Sequence, residues 1–299
     1  MADSLSLTAH RIARGSALVL GLTALAACGG GGGGGGGGGP VVPPPDYIEL
    51  SDRAENAAST LAAFGIFTPD PGDPTIASAT GELQHESGTI EITIEGVTIN
   101  DTDTDADGEW ATGGISLTDL PQAGQSFDYA GFYILESPSG GGPVIIGVPT
   151  EAADMPTSGS ATYSGESFIQ GATTFDGGSD LDSGGVASVA VDFSGAGSAT
   201  ITLDSFPGAD GLPFDSIVIS GVTISGGGLD FSSASLALLT DTPSNIEDDV
   251  LGSGFILDGD GGFFGPVGPQ TGGTGPDHVG GAFGAEGANG QVFGGFLAD

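Results

Sequence analysis

The 299-residue chain has no lysine. Only three arginines, Arg11, Arg14 and Arg53, stand against 39 aspartates and glutamates, for a formal net charge of −36 at pH 7. That field repels nucleic acid and anionic lipid headgroups, so neither is a partner. Lysine-based chemistry, by Schiff base or phosphate cradle, is absent with the residue. Cys28 is the single cysteine, which removes disulfides and thiolate clusters from the account. No apolar run reaches the roughly 20 residues of a spanning helix. No Gly-x-Ser-x-Gly elbow stands at a strand-to-helix turn, and nothing selects a hydrolytic pair from so many acids. The chain is read as a non-enzyme.

Its N-terminus is informative. His10, Arg11 and Arg14 precede a short apolar run over residues 17–26, which ends in Leu25-Ala26-Ala27-Cys28. A basic start, an apolar core and a small-residue cleavage site make residues 1–27 a secretory signal peptide. Leu-Ala-Ala-Cys resembles the bacterial lipobox. That resemblance implies lipidation of Cys28 through its thiolate, and several acyl chains give a firm membrane anchor. Gly29, rather than Asp, follows the cysteine, which points to the outer membrane. Cleavage would remove Arg11, Arg14 and Asp3, leaving Arg53 alone against 38 acids and a net charge of −37. A saline habitat, where screening relieves self-repulsion, is the preferred explanation; a basic partner or a cation is the alternative.

Glycine is abundant, at 59 residues, eleven of them in the tract Gly29–Gly39. With Pro40 and Pro43–Pro45 behind it, this tract makes residues 28–46 a tether, flexible first and stiffer after. Tyr47–Phe67 reads as the one helix of the mature chain. Ser51-Asp52-Arg53-Ala54-Glu55 resembles a capped start, Ala54, Ala57, Ala58, Leu61 and Ala62 share a side, and Gly65 and Pro69 end it. From Thr75 the period changes to two. Ile90, Ile92 and Ile94 alternate with polar residues, and Ile115–Leu120, Ser126–Glu136 and Pro143–Thr150 also read as strands. Residues 47–154 are therefore taken as a short helix and a small β region. Eight further strands follow: Ser160–Ile169, Val186–Phe193, Ser198–Phe206, Asp215–Ile224, Leu229–Leu239, Gly252–Leu257, His278–Gly284 and Gln291–Ala298. Phe263-Phe264 extends or follows the sixth. Eight antiparallel strands can close a barrel with a filled interior and no exposed edge. The Gly/Ser-rich strands lack the aromatic girdles of a porin.

Two stretches carry a family resemblance. The run from Met155 to Gly165, with Pro156, Gly159, Ala161 and Tyr163, resembles the opening barrel strand of transferrin-binding protein B-like surface lipoproteins. The stretches Gly281-Ala282-Phe283-Gly284 and Val292-Phe293-Gly294-Gly295-Phe296 resemble the closing strands, and Gly262-Phe263-Phe264-Gly265-Pro266 echoes them. Ala285 stands where the closing pattern has Pro, and no Glu precedes Gly294-Gly295 at the pattern's spacing. The resemblance implies an all-β fold: a small β handle, then an eight-stranded antiparallel barrel over residues 155–299, with room for one lobe. It also implies a surface-exposed, outer-membrane lipoprotein that binds an extracellular protein or small ligand. Iron, haem or other nutrient uptake beside an outer-membrane transporter would be its role.

Candidate sites are few. Asp101, Asp103, Asp105 and Asp107 alternate before Gly108, placing hard oxygens as Ca²⁺ requires. Counting from Asp103, position twelve is Gly114 rather than a bidentate Glu, and no helices flank the run, so a solvated acidic loop is the preferred reading. Asp258-Gly259-Asp260-Gly261 reads as a turn. His85 and His278 could ligate haem or a metal, but surface histidines are preferred. Trp110 reads as a core cap. No cofactor is required; calcium is possible. The sequence thus reads as an anchored surface binding protein, with a structural or adhesive lipoprotein, stabilised by calcium, as the alternative.

Overall fold

In the computed structural model the described residues are Tyr47, Glu49 and residues 59–67, 77–86, 89–94, 97–101, 109–112, 115–120, 127–137, 140–174, 179–206, 212–240 and 246–299. All structural statements concern these. Cys28, the tether, Asp103, Asp105 and Asp107 lie outside them.

Two antiparallel sheets make up the described structure. The first holds β1 (Ser59–Phe67), β2 (Ala77–Glu86), β3 (Thr89–Ile94), β4 (Val97–Asp101), β5 (Glu109–Thr112), β6 (Ile115–Asp119), β7 (Ala130–Ser137) and β8 (Gly140–Gly147). The second holds β9 (Ser160–Thr173), β10 (Ser179–Asp192), β11 (Ser198–Asp204), β12 (Ser216–Ser225), β13 (Gly228–Asp230), β14 (Ser235–Leu239), β15 (Ile256–Gln270), β16 (Gly273–Glu286) and β17 (Gly290–Ala298). Among the described residues one short helix, α1 (Glu247–Val250), precedes β15. The fold is all-β, as the alternation in the sequence requires.

The second sheet closes. Its order runs β11-β10-β9-β17-β16-β15-β13-β12, and β11 pairs again with β12. β13 and β14 pair with successive halves of β12, so they are one strand position interrupted at residues 231–234. Eight positions therefore ring the barrel. The first strand meets the last: β9 pairs with β17 from Gly165↔Ala298 to Thr173↔Gly290. The interior is filled by alternate residues, among them Ala161, Tyr163, Val189, Ile201, Leu203, Ile217, Ile219, Phe263, Phe283 and Phe296, all buried. Asp258-Gly259-Asp260-Gly261 is not the expected turn. It lies within β15, where Gly259 and Gly261 face Phe283 and Gly281 across the ladder. Absent side chains there let the two backbones pack closely, which a turn-propensity argument does not weigh.

The first sheet runs β4-β3-β2-β1-β8-β7-β6-β5. Residues 59–67, expected as the end of a helix, form the strand β1 at its centre. β1 pairs with β2 along its whole length, from Ser59↔His85 to Phe67↔Ala77, and with β8 on its other edge. Alanine-rich local propensity is worth only tenths of a kcal/mol per residue, and two ladders plus burial of Phe64 override it. β4 and β5 stand at opposite ends of this order yet are joined by only seven residues. Laid flat, eight strands at about 4.8 Å spacing would separate them by roughly 34 Å. The connection reaches at most about 29 Å. The sheet must curl, and β4 and β5 do contact each other.

The sheets pack through one face of the barrel. β15, β16 and β17 are buried on both sides, which explains their unbroken apolar and glycine runs. Their outward residues Phe264, Ala282, Phe293 and Leu297 meet Phe127, Ala130, Phe132 and Ile145 of the first sheet, with Ala62 and Phe64 against the cluster. Glycine makes this approach possible. A Cβ at Gly295 would lie 2.9 Å from the Phe132 ring, and one at Gly262 would lie 3.0 Å from the Phe64 ring. Backbone bonds tie the layers together as well. Gly265 N–H donates to the Val148 carbonyl (2.9 Å) and Thr150 N–H to that of Phe263 (2.8 Å).

Candidate functional site

The sequence candidates do not assemble into one site. Asp101 ends β4 opposite Ile90, and Trp110 stands in β5 opposite Leu117. His85 is in β2 between Ser59 and Ile90. The run from Asp101 to Glu109 thus connects the two edge strands of the curled sheet. Among the described residues no group of three or more His, Cys, Asp and Glu could hold a metal ion.

The chemistry instead gathers where the first sheet meets the barrel. Here β15 carries a bulge: Phe264 pairs with His278 and Val267 with Pro276, so Gly265 and Pro266 together oppose Asp277. Such a bulge re-aims the facing side chain, and it accommodates Pro266, which has no N–H for the ladder. Gly265 adopts φ +77°, and its missing Cβ makes room for the Tyr129 ring, 2.6 Å from where that carbon would be. Thr150 Oγ1 donates to the Gly265 carbonyl at 2.7 Å and fixes the bulge from the other side.

His278 is not the surface residue that the sequence suggested. It is only 5% exposed, because β16 is covered by the segment Phe127-Asp128-Tyr129 leading into β7. Its ring lies edge-on to Phe127 at 5.4 Å and 6.0 Å from the Tyr129 ring. Neither Nδ1 nor Nε2 has a hydrogen-bond partner. Burial lowers its pKa to about 4, with Asp128 opposing, so it is neutral at pH 7. Beside it, burial and then the negative Asp128 and Asp299 raise the Asp277 carboxyl above its ordinary value. Tyr129 is shifted upward by burial, then by Asp277, Glu49 and Asp128. Inside the barrel, on the other face of the wall, the Tyr163 hydroxyl is fully buried, lacks a partner and is also shifted upward, by burial first and then by Asp277.

Tyr47 completes the outer side. Its ring packs edge-on to Tyr129 at 6.5 Å. Its hydroxyl donates to Asp154 Oδ2 (2.8 Å) and accepts from the Glu151 N–H (3.0 Å). Burial, with the neighbouring carboxylates, pushes this hydroxyl up to about 12. Two of the four tyrosines in the sequence, Tyr47 and Tyr129, therefore sit in one acidic seam. The sequence carried no motif for it, since its members come from positions 47, 128–129 and 277–278. The arrangement offers carboxylates, aromatic faces and a neutral imidazole.

Solved structures share this architecture. A single-substitution variant of the vaccine antigen transferrin binding protein B from Haemophilus parasuis superposes with TM-score 0.50 at 17% identity, over 82% of this chain and 46% of that one. A double-substitution variant of the same antigen gives TM-score 0.50 at 16% identity over the same shares. Transferrin binding protein B from serogroup B Neisseria meningitidis gives 0.49 at 17% identity, over 81% and 43%. The chain carries the fold of transferrin-binding protein B. It spans a little under half the length of those proteins. No family model matches the sequence, and no curated protein matches it. The shared fold, reached at low identity, is one of named binding proteins, and the seam lies where its two sheets join.

Proposed function

We propose that this chain is a lipid-anchored surface lipoprotein of the outer membrane that captures an extracellular protein or small ligand, in iron, haem or other nutrient uptake beside a transporter. The observation that carries the reading is the closed barrel packed on a curled sheet, the fold of transferrin-binding protein B. The lipobox-like Leu25-Ala26-Ala27-Cys28 and the Gly/Pro tether support it, since they would hold such a module off a membrane. The site needs no cofactor in this reading, and no catalytic step is assigned. Tyr47, Asp128, Tyr129 and Asp277 are the described residues best placed to meet a ligand.

Capture tests this function. The full chain is immobilised and exposed to extracellular medium, iron-loaded transferrin and haem in about 0.15 M salt, where nonspecific attraction to an acidic surface is screened. Recovery of a stoichiometric complex is expected. A chain that saturates with none of them, and instead joins its own copies or surfaces only when Ca²⁺ is added, would be the adhesive lipoprotein.

A further inference from the structure

We propose that the seam between the two sheets is a docking point for a basic side chain, a guanidinium or ammonium, of a protein partner. This rests on the reading of the chain as a ligand-binding protein and names the chemistry of what it binds.

Two independent observations meet there. The first is concentrated negative charge: Asp128 and Glu49 are exposed, and Asp277 is half-buried beside Asp128. The described residues include no lysine or arginine at all. The second is unmet hydrogen bonding. His278 lies under Asp128, flanked by Phe127 and Tyr129, with both ring nitrogens unpartnered at 5% exposure. Buried polar groups are ordinarily satisfied, and such exceptions call for a partner.

A cation with several N–H donors answers both. A guanidinium offers five donors in a planar fork, for the carboxylates of Asp128 and Asp277 and for the acceptor nitrogen of a neutral imidazole. Tyr129 and Tyr47 offer aromatic faces to the same charge. A bare metal ion fits less well, since no three ligating groups converge among the described residues. The frame is already ordered. The Gly265 bulge, the Thr150 bond and the Tyr47–Asp154 bond hold these groups before any partner arrives, which lowers the cost of binding. Arg53 lies outside the described residues and is the competing occupant.

The test uses the full chain, with the His278 ring resonances assigned by their loss in His278→Gln. The probe is a blocked tripeptide, Gly-Arg-Gly, with the neutral citrulline analogue as control. The Arg peptide should shift the His278 resonances saturably, and the citrulline peptide should not. Asp128→Asn/Asp277→Asn should weaken that binding about five- to tenfold, as loss of partly desolvated charge pairs does. Asp248→Asn/Asp249→Asn removes equal charge at α1 and should leave it within about twofold. Equal losses in the two variants, or unmoved His278 resonances, would overturn the proposal. So would Arg53→Gln if it shifted those resonances without peptide and tightened peptide binding, for Arg53 would then be the occupant. A chain that captures an extracellular protein while its seam ignores arginine keeps the proposed function and loses this site. A seam that binds arginine in a chain that captures nothing loses the function alone.

Discussion

Lowering the pH should destabilise the fold through one residue. His278 titrates near 6.5 when unfolded and near 4 when folded, because burial disfavours its charged form. The unfolded chain therefore binds a proton first as pH falls. The stability associated with neutral His278 is fully present above pH 6.5 and is lost as pH falls from there toward 4. Across the whole window the loss is about 3.4 kcal/mol, at about 1.36 kcal/mol per pKa unit. By about pH 5 the linkage relation gives about 2 kcal/mol. The groups facing the ring are Phe127, Asp128 and Tyr129. Asp277 works the other way: its folded pKa is raised, so protonating it favours the fold, and that gain comes as pH drops through its own titration. A difference measurement isolates the histidine. Urea denaturation of the parent and of His278→Phe at pH 8, 6 and 5 should show parent stability falling relative to the variant by about 2 kcal/mol between the first and last. Parallel curves would mean that His278 titrates alike in the folded and unfolded chains.

Packing at the seam between the sheets gives a second prediction: Gly295→Val should destabilise by about 1–3 kcal/mol, since its side chain would meet the Phe132 ring and Pro143, both 2.9 Å from its Cβ. Gly184→Ala is the control, its nearest neighbour 3.8 Å away; thermal melts should place it within about 0.5 kcal/mol of the parent. Calcium should raise the melting temperature no more than equal ionic strength of sodium does, and Asp103→Asn/Asp105→Asn/Asp107→Asn should retain that response. A calcium-specific rise lost in the triple variant would favour the adhesive lipoprotein by mass action. Cys28→Ala should move the protein from the membrane fraction to the soluble fraction.

Strands were legible where one face is wet. Val189, Val191, Ile201, Leu203, Ile217 and Ile219 alternate with exposed or half-exposed residues, and the barrel follows from that period. In the first sheet, Ile90, Ile92 and Ile94 show the same period, and three further runs read as strands from their bounding turns. β1 could not be read so, because its alanines favour a helix locally and only pairing with β2 and β8 makes it a strand. β15 to β17 blurred at their edges because both faces are buried and alternation disappears. The seam was illegible for a different reason. His278 carries no helical-spacing partner and looks like a lone surface residue until Phe127 and Tyr129 cover it. Asp277 is one acid among 39 until the fold brings it within electrostatic reach of Asp128 and Tyr129. Long-range placement, not local pattern, makes both residues chemical.

The proposed function needs a module that stands on the cell surface, anchored through Cys28, to meet extracellular ligands. Protease treatment of intact cells, with mass analysis of the N-terminal peptide from the same cells, reads both requirements. The protein should be shaved from unbroken cells, and the peptide beginning at Cys28 should carry acyl mass. Protein that is protected until the outer membrane is opened, or an unmodified Cys28, would contradict that function.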